Sequence, residues 1–347
     1  MRDKITKPFP TLKENMIVLK AENISFSTKN RKAKILNIKS LHLKEGSCIL
    51  VQGKNGAGKS SLLSVLGGFL APDSGEIEWK GKRIQALKDR LVPGFEGIEL
   101  VKQDPDLNPF LTVSDQLIKG TRHLKESEAM SLVKKAVSIC HLKPLLTQKT
   151  GSLSGGEKRR LSIALAIIKN CALLLLDEPF AELDAENKKL FLDLILSLKN
   201  NSNITICLVT HHGEDALWLA NEVWTMEKGK ILERIKRANG CFTPFHFQSA
   251  VLLGIKNVFK TSDFPNVDTL KSGNWIQILP ESINTKGSGI PLGEACLLTQ
   301  FQKENKWHCI WKLDSLLIES VSLTMTESNN KVQILYLLEE NDNDNKY

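Results

Sequence analysis

One stretch of this chain has the residue types and spacing to hold a polyphosphate. Gly53-Lys54-Asn55-Gly56-Ala57-Gly58-Lys59-Ser60, with Ser61 next, fits the pattern G-x-x-x-x-G-K-[ST] and stands between a buried-strand pattern and a helical one. The glycines let the backbone curl until successive N–H groups converge on phosphate oxygens. A helix opening at Lys59 adds the positive end of its dipole. Lys59 reaches the β- and γ-phosphates, and Ser60 offers a hard oxygen to Mg²⁺.

Far downstream, the apolar run Leu173–Leu176 ends in Asp177-Glu178-Pro179. Alone, that tripeptide is a turn closing a strand. Beside the loop above it becomes a second half-site. Asp177 is placed to hold Mg²⁺ directly or through water. Glu178, one residue on, is suited to polarise a water for in-line attack on the γ-phosphate.

Leu153-Ser154-Gly155-Gly156-Glu157 is the third element. Ser154-x-x-Glu157 alone is a capping box, opening a helix over Lys158–Lys169. The paired glycines also bare backbone N–H groups at a helix N-terminus, which makes a second anion site. One chain thus carries one phosphate loop but two phosphate-seeking helix ends. The economical arrangement is a head-to-tail dimer, with each nucleotide between the loop of one copy and Ser154-Gly155-Gly156 of the other.

Strands and helices must position these groups. Met16–Phe26 and Ile35–Leu43 alternate apolar and polar residues, as half-buried strands do. Ser47–Gln52 is a short buried strand, and a helix is expected over Lys59–Phe69. Ala172–Leu176 and Ile204–Val209 are continuous apolar runs, typical of strands covered on both faces of a parallel sheet. Helical periodicity over Asp184–Leu198 makes a strand–helix–strand crossover between them. Val113–Leu146 is helical and rich in Lys and Glu, an inserted subdomain. After Gly240 the texture changes to short segments separated by Gly, Pro, Asn and Ser: Asn274–Leu279, Ala295–Gln302, Lys306–Lys312, Ser315–Leu323 and Lys331–Leu338. These predict a small β-rich domain.

Composition narrows the setting. Of 347 residues, 41% are hydrophobic and 25% charged, a globular balance that excludes wholesale disorder. No apolar run approaches the roughly 18 residues a membrane-spanning helix needs. Met1–Lys13 has no apolar core and does not read as a secretory signal. Seven cysteines, with no CxxC pair, fit a reducing compartment. The net charge of +8 is uneven, at +11 through Gly240 and −3 beyond. The lysines are dispersed, so charge alone does not separate a nucleic acid, membrane or nucleotide partner from a solvated surface.

With these motifs in this order, the chain resembles an ATP-binding cassette (ABC) ATPase over roughly residues 16–238. The resemblance adds three residues. Gln103, in Leu100-Val101-Lys102-Gln103-Asp104, matches the glutamine that contacts Mg²⁺ and the attacking water and joins the core to the helical subdomain. Asp184, in Ala181-Glu182-Leu183-Asp184, matches the aspartate loop that couples the two active sites. His211 matches the switch histidine at the γ-phosphate. Three positions depart from the family pattern. Thr28 replaces the usual adenine-stacking aromatic after Phe26-Ser27, with Phe26 better suited to the core. Glu157 replaces the commoner Gln of the signature. His212 replaces the usual Asp and is given no role.

The resemblance implies an α/β fold: a P-loop NTPase core with a mixed, mainly parallel sheet, an antiparallel β subdomain and a helical subdomain at about 104–152. A tail (1–15) precedes it, and a small β-rich domain (241–338) and polar tail (339–347) follow. Val251–Lys260 and Trp275–Ile283 resemble the regulatory β domain of importer ATPases. The cofactors implied are ATP and Mg²⁺. The implied partners are a second cassette (homodimer or paired subunit), an integral membrane permease gripped by the helical subdomain, and an external solute-binding protein. No nucleic acid is expected. The location implied is cytoplasmic, on the inner face of the membrane. Competing readings are a soluble ATPase acting on nucleic acid or ribosomes, and a nucleotide sensor that does not hydrolyse. The first usually carries two cassettes or a coiled-coil insertion, which this chain lacks. Glu178, Gln103 and His211 together weigh against the second.

Overall fold

The computed structural model describes residues 16–28, 34–84, 94–122, 124–201, 203–210, 214–238, 242, 244–253 and the later strands named below. It divides into two compact units, Met1–Phe242 and Thr243–Tyr347.

In the first unit the alternating segments form β1 (Ile17–Ser27) and β2 (Lys34–Lys44), an antiparallel pair. The buried run becomes β3 (Cys48–Gln52), followed by helix α1 (Lys59–Leu66). Strands β4 (Ser74–Trp79) and β5 (Lys82–Ile84) complete a four-stranded sheet in the order β2-β1-β4-β5. Next come β6 (Ile98–Val101), α2 (Val113–Gly120), α3 (Glu126–Ile139) and α4 (Gly155–Ile168). The unit ends with β7 (Leu173–Asp177), α5 (Ala185–Asn201), β8 (Thr205–Thr210), β9 (Glu222–Glu227) and β10 (Lys230–Lys236).

The second sheet has the order β10-β9-β3-β8-β7-β6, and only β10 is antiparallel to its neighbour. The β7–α5–β8 crossover expected from the apolar runs is present, with Leu176 beside Leu208. Helix α1 lies in the core shared by the two sheets. Leu62, Leu63, Val65 and Leu66 cluster with Leu19, Leu36 and Leu41 from the first sheet and Val51, Leu175 and Val209 from the second. Each such side chain contributes roughly 1.5–3 kcal/mol on burial, so the helix that follows the Gly53–Gly58 loop is anchored from both sides.

Two helix limits differ from expectation. Helix α1 stops at Leu66 rather than Phe69, because Gly68 turns to φ +75 and its N–H donates to Val65 O at 3.1 Å while Phe69 N donates to Ser64 O at 2.8 Å. The Phe95 ring packs where a Gly68 side chain would stand. Helix α4 starts at Gly155 rather than Lys158, directly after its Ser154 cap. Cys48, Cys140, Cys171 and Cys207 are buried free thiols, and burial pushes the Cys48 thiol up to about 11 and Cys140 to about 12.

In the second unit, α6 (Phe247–Leu252) precedes two antiparallel sheets. The first has the order β11-β13-β12, from β11 (Val258–Lys260), β12 (Lys271–Ser272) and β13 (Trp275–Gln277). The other has the order β14-β18-β15-β16-β17, from β14 (Ile283–Asn284), β15 (Ile290–Lys303), β16 (Lys306–Leu313), β17 (Leu316–Ser322) and β18 (Val332–Leu337). Strand β15 extends upstream of the expected Ala295, with a register irregularity between Pro291 and Gly293 that masks its alternation in sequence.

Candidate functional site

The loop between β3 and α1 is fixed by backbone contacts that only glycine permits. Gly58, the N-cap of α1, has φ 99, and a Cβ there would lie 3.0 Å from Ile35 O. A Cβ on Gly53 would stand 2.5 Å from Met226 O of β9. Ala57 N donates to Lys54 O at 3.1 Å, and Gly229 N donates to Ala57 O at 2.9 Å. Lys54, Asn55 and Gly56 form an exposed rim, whereas Gly53, Ala57 and Lys59 are buried and Ser61 is half-buried. Only 6% of Lys59 is exposed. Its Nζ donates to Gly53 O at 2.8 Å and lies 3.7 Å from Glu178 Oε1. A second donor reaches Lys54 O at 3.4 Å; an ammonium has three, so one remains for a phosphate oxygen.

Strand β7 brings both carboxylates to this loop. Ser60 Oγ donates to Asp177 Oδ1 at 2.8 Å. Hydroxyl and carboxylate side by side are the hard-oxygen set suited to Mg²⁺, which takes one or two protein ligands and completes its shell with water and phosphate. Burial pushes the Asp177 carboxyl above its ordinary value. Ser60 and Lys59 pull it down, and Glu178 adds to the rise. A nearby cation would relieve that penalty. Glu178 has φ 46, a left-handed conformation, while its N–H still donates to Val209 O at 3.0 Å. This backbone costs roughly 1–2 kcal/mol and turns the chain off the strand with the Glu178 carboxylate facing Lys59.

Ser154 caps α4 as expected. Its Oγ accepts from Glu157 N at 3.3 Å, and Glu157 Oε2 accepts from Ser154 N at 2.8 Å. Ser154 and Gly155 are exposed, but Gly156 is buried. A Cβ on Gly156 would come 2.8 Å from Leu183 Cδ2, whereas one on Gly155 would meet nothing within 4 Å. Asp184 is spent locally. Its carboxylate accepts from Asn187 N at 2.8 Å, which lowers its pKa, together with bonds from the Asn187 side chain.

A family model described as ABC transporter matches residues 36–181. Over 223 residues the chain is 32% identical to a taurine import ATP-binding protein, TauB, of Pseudomonas aeruginosa, covering 63% of this chain and 82% of that one. The chain belongs to the ABC transporter family. It is an ATP-binding cassette and an ATPase. It is also 30% identical over 272 residues to a molybdate/tungstate import ATP-binding protein, WtpC, of Pyrococcus abyssi (78% and 76% covered). A spermidine/putrescine import ATP-binding protein, PotA, of Legionella pneumophila is 30% identical over 292 residues (83% and 75% covered). Among solved structures, cbiO1 from Clostridium perfringens, part of the ABC transporter complex cbiONQ, superposes with a TM-score of 0.55 at 28% identity, covering 63% of this chain and 88% of that one.

Within the cassette, Lys59, Ser60, Asp177 and Glu178 converge on one end of the second sheet. Gln103 follows β6 with its side chain exposed and its carbonyl held by Arg159. Ser154 and Gly155 make no contact with the phosphate-loop group in the bonds of the described residues. His211 lies outside the described residues, as does His212. Phe26 is 8% exposed and belongs to the core, while Thr28 is exposed. The sequence reading missed two residues. Gln52, the last residue of β3, buries a side-chain amide with neither Nε2 nor Oε1 bonded. Arg159 is the second, and its only signal was a charge on the inward face of a helix. No helix among the described residues is long and apolar enough to cross a membrane.

Proposed function

We propose that this cassette is the energy-coupling subunit of an ABC importer, working as a head-to-tail dimer on a separate membrane permease. The observation that carries the dimer is the contrast between the two glycines of the signature. Gly156 is small because Leu183 lies against it, but nothing among the described residues explains Gly155. A bare backbone at the exposed start of α4 is suited to a nucleotide held by another copy. Three relatives are named for import of taurine, molybdate or tungstate, and spermidine or putrescine. Cargo so varied across similar cassettes supports a substrate choice made by the permease. The alignment of 292 residues is longer than the 16–238 stretch, which supports reading 241–338 as an accessory domain shared with such importers. The cassette then works at the cytoplasmic face of the membrane.

In this reading Gly53–Ser61 wraps the phosphates, and Lys59 turns its remaining donor to the γ-phosphate. Mg²⁺ would be held by Ser60 and Asp177, with Gln103 completing the set, and would neutralise phosphate charge. Glu178 accepts the proton of the attacking water, and His211 steadies the γ-phosphate. Beyond that proton transfer, positioning and electrostatics supply the catalysis. Ser154, Gly155 and Gly156 close over the partner's nucleotide while Asp184 lies at the seam. Co-purification with a multi-spanning membrane protein, with hydrolysis stimulated by that partner, tests the reading. Hydrolysis indifferent to every co-purified membrane protein would contradict it.

A further inference from the structure

Arg159 projects from the second turn of α4 into the interior, with 2% of its surface exposed. No carboxylate forms an ion pair with it among the described residues. Instead its fork closes on two backbone carbonyls from different loops. Nε donates to Gln103 O at 2.9 Å, and one terminal nitrogen donates to Ala181 O at 2.6 Å. Burial pushes its pKa down, while Glu182 and Asp104, each one residue beyond a held carbonyl, pull it back up. Burying a charge without an ion pair is costly, and an apolar side chain would fill the space without that cost. The rigid, planar guanidinium fork is pre-organised to hold two carbonyls at once in fixed geometry.

The two loops are those on which catalysis depends. The first carries Gln103 and leads from β6 toward α2 and α3. The second runs from Glu178 to Asp184 and packs Leu183 on Gly156, the second residue of α4. We propose that Arg159 is a positioning residue that makes the Gln103 loop and the Ala181–Asp184 loop move as one body. A displacement of the helical subdomain then reaches Gln103 and the seam between cassettes in a single step. The inference rests on the functional reading above, since it gives both loops their roles.

The test uses the full-length protein with two substitutions. Arg159→Lys keeps the charge but cannot hold both carbonyls in one plane, and Arg159→Met removes the clasp. The expected result for Arg159→Lys is a kcat lower by about tenfold, in the range expected for misplaced catalytic groups, with the KM and Kd for ATP within about twofold of the parent. Arg159→Met should lose more kcat. If it fails to fold, Arg159→Lys carries the test alone. A parent-like kcat in Arg159→Lys overturns the inference. So does a parallel fall of kcat and nucleotide affinity, which marks Arg159 as a support of the fold only. An unsubstituted protein that does not hydrolyse ATP refutes the functional reading instead, so the two failures are distinguishable.

Discussion

The N-termini of α1 and α4, both proposed to meet phosphate, are built in opposite ways. At α1 the loop is packed against β9, its lysine is buried and bonded, and two carboxylates stand beside it. At α4 the cap is complete but the first glycine faces open space. The first end is finished within one chain and the second is not. Packing among the described residues therefore explains glycine at Gly53 and Gly58 and leaves Gly155 unexplained, which is what a surface completed by a second copy would show.

Substitutions can sharpen or break this contrast. The largest effect is expected at Glu178. Glu178→Gln should retain ATP binding and reduce turnover by about 10²–10⁴-fold, the usual worth of a general base; turnover near the parent value would remove Glu178 from that role. Next come the glycines. Gly155→Asp has room, and an acidic residue suits a helix N-terminus, so melting temperature and single-chain ATP affinity should hold while hydrolysis drops about 100-fold. Gly53→Ala should instead destabilise the protein by about 1–3 kcal/mol through overpacking and weaken ATP binding in titrations. Equal behaviour of the two would erase the distinction between the ends.

Smaller effects concern burial near the loop. Gln52→Leu removes an unbonded buried amide and should raise stability by about 1–3 kcal/mol in denaturant melts; a loss would mean that the amide has a partner. Asp177 supplies a pH test. Its folded pKa is raised, so its contribution to stability is full below the ordinary value of 3.8 and lost as pH rises through the folded value. Asp177→Asn should therefore raise the melting temperature by a few degrees at neutral pH, with the gain vanishing as pH falls toward 3.8, while Mg²⁺-dependent hydrolysis is lost. A gain that persists in acid would contradict the desolvation argument.

Much of this was legible in sequence because the relevant contacts are local. The phosphate loop is one uninterrupted segment, the carboxylates end an unbroken apolar run, and the Ser154–Glu157 box spans one helical turn. What escaped depends on contacts between distant segments. Arg159 meets Gln103 across 56 positions of sequence and Ala181 across 22, and its pattern matches any polar position on a helix. Gly155 and Gly156 are identical as letters, and only Leu183 separates them. The end of α1 falls three residues before the expected Phe69 because Gly68 turns left-handed, with the Phe95 ring, from another segment, packed where its side chain would stand.

The central claim is that two cassettes enclose the nucleotide, and sedimentation of Glu178→Gln with saturating MgATP tests it most directly. The account predicts a nucleotide-loaded species of twice the 38.8 kDa chain, and its loss when Ser154→Arg is added without loss of ATP binding. Full ATP occupancy on a species of one chain, or a dimer indifferent to Ser154→Arg, would contradict it.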